Sequence, residues 1–297
     1  VMIDLGYKVV VIRHPMPYGD LGKQRVQRFG SYEDLDKHGC TIEEREEYEP
    51  HLDNGVIVYA GVDYGAILKE AEKEADVILW DGGNNDIPFY LSDFSIVVAD
   101  PHRPGHESRY HPGETNVDLA DVFVINKVDT ANPENVVAVR ENLYRLNPHA
   151  VVIEAASPIY LDKPEERCPR PRHRCCLRPK SVRRKLAYGA GWVAARRFGA
   201  KEIIDPRPYA IGLIKDTYRK YPNTGPILPA MGYGEAMIKD LEKTINDADV
   251  DVVISATPID LTRIVEVNKP MQRIRYELQE IGKPTLYDLL VKKFGKR

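Results

Sequence analysis

No stretch of the 297 residues approaches the roughly 18 apolar residues that a membrane-crossing helix needs. The first residues also lack the charged-then-apolar layout of a secretory leader. These absences argue against a helical membrane protein and set the expectation of a cytoplasmic one. Cysteine is scarce, at four residues, too few for a disulfide framework in a chain of this size. Charge of either sign is not in excess: 42 Lys and Arg face 45 Asp and Glu, a formal net charge of -3. The field of the whole chain therefore recruits neither nucleic acid nor an anionic membrane surface. Small partners are expected instead, a nucleotide and a small anionic phosphorylated substrate, with a homodimer left open. Also missing is the spacing G-x-x-x-x-G-K-[ST], by which backbone N–H groups and a Lys cradle β- and γ-phosphates.

What is present is alternation. Short β-branched runs, at 8–12, 56–59, 77–80, 95–99, 122–125 and 151–154, are separated by Glu/Lys-rich stretches of helical period at 64–75 and 133–146. That order predicts an α/β fold, a doubly wound, mostly parallel sheet with crossover helices. A second series follows Tyr188, with strands near 202–204, 251–256 and 272–275 and helices near 234–245 and 286–294. The expected division is a core over 1–161, a linker over 162–187 and a C-terminal α/β region over 188–297. Leu5-Gly6 has the Gly that ends a helix, followed by the first apolar run, so the chain reads as beginning within a domain.

The segment 162–187 breaks the pattern with seven arginines and four prolines and no apolar period. Cys168, His173, Cys175 and Cys176 would supply four zinc ligands, but adjacent cysteines are poor spacing for one tetrahedral site. A basic arm for nucleic acid would need interleaved aromatics, which are absent. An irregular or damaged linker is the plainer expectation.

Chemistry concentrates at the ends of the apolar runs. Val122-Phe-Val-Ile125 runs into Asn126-Lys127-Val128-Asp129, the Asn-Lys-x-Asp of P-loop GTPases, where the Asp carboxylate accepts from two adjacent guanine donors and the Lys stem covers the ring. Ala155-Ala156-Ser157 ends the next run with small residues, suited to bringing a backbone N–H to the base. Upstream, Val77-Ile-Leu-Trp80 runs into Asp81-Gly82-Gly83, the layout in which an Asp holds Mg²⁺ beside a nucleotide. Two basic clusters follow other runs: Arg13-His14, then Lys23, Arg25 and Arg28; and Asp100-Pro-His102-Arg103, then His106 and His111. Strand carboxyl ends are where ligands bind in open α/β sheets. Arg13, His14, His102 and Arg103 are thus the candidate catalytic residues, neutralising substrate phosphates. Asn126, Lys127, Asp129 and Ser157 are the nucleotide-binding candidates, and Asp81 the metal candidate. A metal site from His102, His106 and His111 is a further, weaker reading.

The phrases Arg13-His-Pro-Met-Pro-Tyr-Gly-Asp20, Trp80-Asp-Gly-Gly-Asn-Asn-Asp86, Asp100-Pro-His-Arg-Pro-Gly-His106, Asp205-Pro-Arg-Pro-Tyr209, Leu228-Pro-Ala-Met-Gly-Tyr-Gly234 and Thr257-Pro-Ile-Asp-Leu261 resemble the archaeal cyclic 2,3-diphosphoglycerate synthetase family over nearly the whole chain. The resemblance implies an NTP-dependent phosphoryl-transfer enzyme of the ligase type. It would close 2,3-bisphosphoglycerate into an internal phosphoanhydride, using Mg²⁺ and ATP. It also implies a P-loop upstream of Val1, without which these residues would be inactive. Against ATP stands the guanine-type motif at 126–129, so GTP stays open. A GTP-binding regulatory switch without a small-molecule product is the alternative.

Overall fold

The computed structural model describes residues 1–16, 20–82, 87–162, 174–178, 190–229 and 234–297. The chain divides into two units: Val1–Asp34, Asn54–Pro158 and Glu277–Arg297 form the first, Leu35–Asp53 and Ile159–Tyr276 the second. This interleaved division differs from the linear one expected from sequence. The last residues return to pair with the middle of the chain, and a helix near residue 45 leaves the first unit for the second.

The first unit holds two four-stranded sheets. In one, β1 (Val9–Arg13), β2 (Gln27–Phe29), β3 (Ile57–Ala60) and β4 (Val77–Trp80) lie in the order β2-β3-β1-β4. Here β1 is parallel to both β3 and β4, while β2 is antiparallel to β3. Residues 1–6 form a hydrogen-bonded turn rather than a longer helix, ending at Gly6 with φ 93°. α1 (Tyr32–Lys37) and α2 (Ile42–Asp53) come before β3 in the chain. α3 (Tyr64–Ala71) starts where the Asp63 carboxylate accepts from the Ala66 N–H at 2.9 Å. Its Ile67 and Ala71, on one helical face, are buried against Val10, Ile12 and Tyr59.

The second sheet contains β5 (Ile96–Ala99), β6 (Val122–Ile125), β7 (Val151–Ala156) and a late strand, Gln279–Ile281. β5, β6 and β7 are parallel, and the late strand pairs antiparallel with β7. α4 (Gly113–Asp118) precedes β6, and α5 (Pro133–Leu146) follows it. Asn132 caps α5 and Pro133 opens it, which is why this helix has the limits read from sequence. One sheet face packs Phe123, Ile125 and Ala99 against Val136, Val139 and Leu143. The other packs Val122, Val124 and Ile153 against the C-terminal helix, Leu286–Phe294, through Leu286 and Leu289. That helix also places Leu290 against Met2 and Leu5, beside Val9, Val77 and Phe94, so it lines both sheets of the unit.

The second unit carries a five-stranded sheet of β8 (Ile159–Leu161), β9 (Arg174–Arg178), β10 (Glu202–Ile203), β11 (Val252–Ser255) and β12 (Met271–Tyr276), in the order β10-β9-β11-β12-β8. All pairings are parallel except β12 with β8. β11 shows the period of two of a strand buried on both faces. Val253 packs with Leu241 and Ile245 of α8 (Glu235–Asp247) and Ile214 of α7 (Gly212–Lys220). Val252 and Ile254 pack with Ala194 and Ala195 of α6 (Ala190–Arg197). The Gln279–Ile281 strand is β13 and the Leu286–Phe294 helix α9.

The expected linker is corrected in one respect: Arg174–Arg178 within it forms β9, held in parallel register by β10 and β11. Strand pairing, not local period, determines its conformation. The other residues of 163–173 and 179–189, with Cys168 and His173, lie outside the described residues, as do the side chains of Cys175 and Cys176. No helix among the described residues is long and apolar enough to cross a membrane.

Candidate functional site

The candidates in the first unit gather at the carboxyl ends of its parallel strands, in two groups. At the ends of β1 and β4, the Arg13 guanidinium donates to the Asp81 carboxylate at 2.5 Å. The Asp81 N–H in turn donates to the Ile12 carbonyl at 3.0 Å, which extends the β1–β4 ladder by one bond and fixes where the carboxylate leaves the sheet. His14 follows Arg13 and is held by aromatic neighbours. Its Nδ1 hydrogen-bonds the Tyr64 hydroxyl, and its ring meets Trp80 edge-on at 5.0 Å and Phe89 at 5.7 Å. Tyr64 and Phe89 stack at 4.6 Å. The Trp80 indole N–H is buried without a hydrogen-bond partner among the described residues.

At the ends of β5 and β6, the hub is Asp100, whose side chain is 16% exposed. One oxygen accepts from Lys127 Nζ at 3.2 Å and from the Arg103 guanidinium at 3.1 Å; the other accepts from the His102 backbone N–H at 3.1 Å. Burial pushes the Asp100 carboxyl up. Lys127, the His102 N–H and Arg103 together outweigh that push and hold it below the usual carboxylate range. The His102 ring bonds the Thr130 hydroxyl at 3.0 Å, and that hydroxyl donates to the Lys127 carbonyl.

The Asn126-Lys-x-Asp turn has a backbone that few side chains tolerate. Lys127 sits at φ 61°, in the left-handed region, which costs a non-glycine residue about 1–3 kcal/mol. Asn126 Oδ1 accepts the Lys127 N–H at 2.8 Å, and the Asp100 contact holds the far end of the side chain. The turn is also tied to β7: Val128 N–H donates to the Ala155 carbonyl, and Ser157 N–H donates to Asp129 Oδ1 at 3.0 Å. Two groups expected from sequence to face a base thus meet each other. Asp129 is exposed and Ser157 half-buried.

All eight candidates other than Asp81 therefore lie at strand ends with it, Arg13 and His14 in its group and His102, Arg103, Asn126, Lys127, Asp129 and Ser157 in the other. The three-histidine metal reading is corrected. His102 turns to Thr130, and His106 packs edge-on against Tyr110 at 5.2 Å. Among the described residues no three His, Cys, Asp or Glu side chains converge as a metal site would require. Asp81 fits magnesium in kind, a hard oxygen donor with 37% of its side chain open. Gly83 and residues 84–86 of its loop lie outside the described residues. Asp100 was missed as a site residue although it ends an apolar run, as Asp81 does, and that position was its signal. Tyr64 and Phe89 carried none, because only folding brings them to His14.

No family model matches the chain. The arginine synthetase ArcE of Thermococcus kodakarensis is 62% identical to it, in an alignment covering 97% of this chain and 64% of that protein. The chain therefore spans less than two thirds of the length of the curated relative it matches.

Proposed function

We propose that residues 1–297 belong to an NTP-dependent ligase that activates a substrate oxygen by phosphoryl transfer and then displaces phosphate with a second nucleophile. The observation that carries this reading is the strained Lys127 turn, locked to Asp100 and β7 at the carboxyl end of a parallel strand. Strain retained at such a place is a mark of a ligand site. The similarity to a protein named a synthetase supports the ligase class. Asn126, Lys127, Asp129 and Ser157 form the base end of the nucleotide site, with the Ser157–Asp129 bond opening as the base enters. Asp81 would hold Mg²⁺, which when bound neutralises charge on the phosphates. Arg13 exchanges Asp81 for phosphate oxygens, Arg103 does the same from Asp100, and His14 and His102 donate to or hold protons for the transferring group.

For the substrate, the relative's name favours a product with a guanidino group. In such a reaction a ureido oxygen attacks the γ-phosphorus and NDP leaves. Ammonia then adds at the ureido carbon, and phosphate departs with the oxygen. The sequence phrases favour the second reading, closure of 2,3-bisphosphoglycerate, in which one substrate phosphate takes the γ-phosphoryl group and the other displaces phosphate. Both share the first half-reaction.

The test uses the chain extended to the relative's full length, with Mg²⁺ and ATP or GTP. Arginine, NDP and phosphate formed in equal amounts from a ureido amino acid and ammonia would establish the first reading. Phosphoanhydride phosphorus signals from 2,3-bisphosphoglycerate would establish the second. NTP hydrolysis coupled to neither would overturn both in favour of a switch GTPase. Asp129→Asn checks the base end: if guanine is bound, calorimetry should show GTP weakened and xanthosine triphosphate strengthened, because the amide can donate to the extra carbonyl. Unchanged binding of every nucleotide would remove Asp129 from the site.

A further inference from the structure

The sheet of the second unit has one place where its connections diverge. From β9 the chain passes through α6, on the face of Val252 and Ile254, to β10; it returns to β11 through α7 and α8, on the face of Val253. β9 and β11 are neighbours, so the two crossovers part between them, and the carboxyl ends of such a pair are where open α/β sheets take ligands. The first turn of α8 lies at that end. Lys269, just before β12, donates to the Ile245 and Asn246 carbonyls at 3.1 and 2.6 Å, which places the last turn of α8 at the amino ends of the strands and its first turn at the other.

Two polar atoms at this end are buried without partners. Ser255, the last residue of β11, is 1% exposed, and its Oγ has no hydrogen-bond partner. Arg273, its register partner on β12, has its Nε buried in the same condition, while its Nη2 donates to the Pro258 carbonyl. Both side chains lie on the α8 face, because Val253 and Met271, two residues earlier on each strand, pack there. Among the described residues Arg273 makes no ion pair. Asp260 feels its charge but turns instead to the Thr262 N–H at 3.1 Å and hydroxyl at 2.7 Å, and to Arg263 at 4.0 Å. Val253 packs with Leu241, and two residues of strand, about 6.6 Å, match about four residues of helix, so Ser255 comes level with Met237 in the first turn of α8. That turn is open: Gly234 caps it without a side-chain bond, and a Cβ at Gly234 would meet nothing within 4 Å.

We infer that Ser255, Arg273 and the first turn of α8 form a second anion site, one that takes the phosphate group of a small molecule. Three kinds of donor meet there: a hydroxyl, a guanidinium nitrogen and the unpaired N–H groups of a helix start. A carboxylate has two coplanar oxygens and can serve two of them; the three terminal oxygens of a phosphate can serve all. An unpaired guanidinium and a buried idle hydroxyl side by side are seldom kept without such a use. The site lies wholly within the second unit and does not depend on the reaction proposed above.

Amide exchange over 235–241 and 253–258 of the 297-residue chain tests it, titrated separately with inorganic phosphate, 3-phosphoglycerate and ATP. Protection of both segments is expected. Equal midpoints for all three would assign the site to free phosphate; a midpoint at least about tenfold lower for 3-phosphoglycerate or ATP would assign it to that phosphorylated molecule. Ser255→Ala should raise the midpoint roughly tenfold, as the loss of a hydrogen bond to a charged group does, without lowering Tm, since no partner in the protein is lost. Gly234→Asp should prevent protection, again without lowering Tm, because its carboxylate caps the N–H groups that the phosphate would use. No protection of these segments by any of the three up to roughly 10 mM would overturn the proposal. So would protection unmoved by Ser255→Ala or by Gly234→Asp, or a Tm lowered more than about 2 °C by Ser255→Ala, which would give the hydroxyl a structural role.

Discussion

Asp100→Asn tests whether the hub at the end of β5 is electrostatic. The substitution keeps the shape and an oxygen for the His102 N–H, but leaves Lys127 and Arg103 without their carboxylate. A hydrogen bond to a charged group contributes about 1.5–3 kcal/mol when well shielded. Lys127 and Arg103 are each 45% exposed, so water resolvates much of both charges. A loss of about 1–2 kcal/mol at pH 7 is expected, and for a chain of two units it should be read locally, by amide exchange over 97–103 and 124–130. The pH dependence supplies the sign. The folded carboxyl lies below its unfolded value, so its stabilisation is complete above an unfolded pKa of about 3.9 and is lost as pH falls through the lower folded value. The difference between the native protein and Asp100→Asn should therefore be flat from pH 7 to about pH 5 and shrink below about pH 4. A variant as protected as the native protein at pH 7, or a difference that persists undiminished at pH 3, would refute the reasoning.

Two further outcomes follow from packing. A Cβ at Gly61 would lie 2.6 Å from the Arg25 carbonyl oxygen and 2.8 Å from that of Gln24, in the backbone that Val62 and Asp63 hydrogen-bond. Gly61→Ala should cost about 1–3 kcal/mol, seen as a lower Tm, and an unchanged Tm would show that this backbone yields freely. Burial pushes the Cys40 thiol up to about 12, with Glu44 adding to the shift, so its thiolate is scarce at neutral pH. Alkylation of Cys40, followed by peptide mass spectrometry, should stay slow from pH 7 to 9 in the native chain and become fast in denaturant; rapid native labelling would contradict this.

Legibility followed the range of the forces involved. The strand 122–125 and the helix 133–146 emerged with their expected limits, because an unbroken apolar run of β-branched and aromatic residues and an Asn-Pro cap are local signals. The helix read at 64–75 is shorter, Tyr64–Ala71, since the apolar period ends at Ala71 and the residues after it turn toward β4. β9 was illegible because its Arg-Cys-Cys-Leu-Arg has no strand period of its own and is held by its neighbours. The site candidates were readable as strand ends, but their partnerships were not. That Lys127 reaches Asp100, and that Ser157 bonds Asp129, depends on the parallel register of β5, β6 and β7, which no window of sequence contains.

The position of α9 in the chain has a consequence for synthesis. β5, β6 and β7 leave the ribosome together, yet the helix that seals the far face of β6 and β7 follows only after the long second-unit segment Ile159–Tyr276 has been made. During that interval Val122, Val124 and Ile153 form an apolar surface without a cover. The second unit therefore emerges while the first is unfinished, and the nascent chain must be kept from its neighbours until Leu286 and Leu289 arrive.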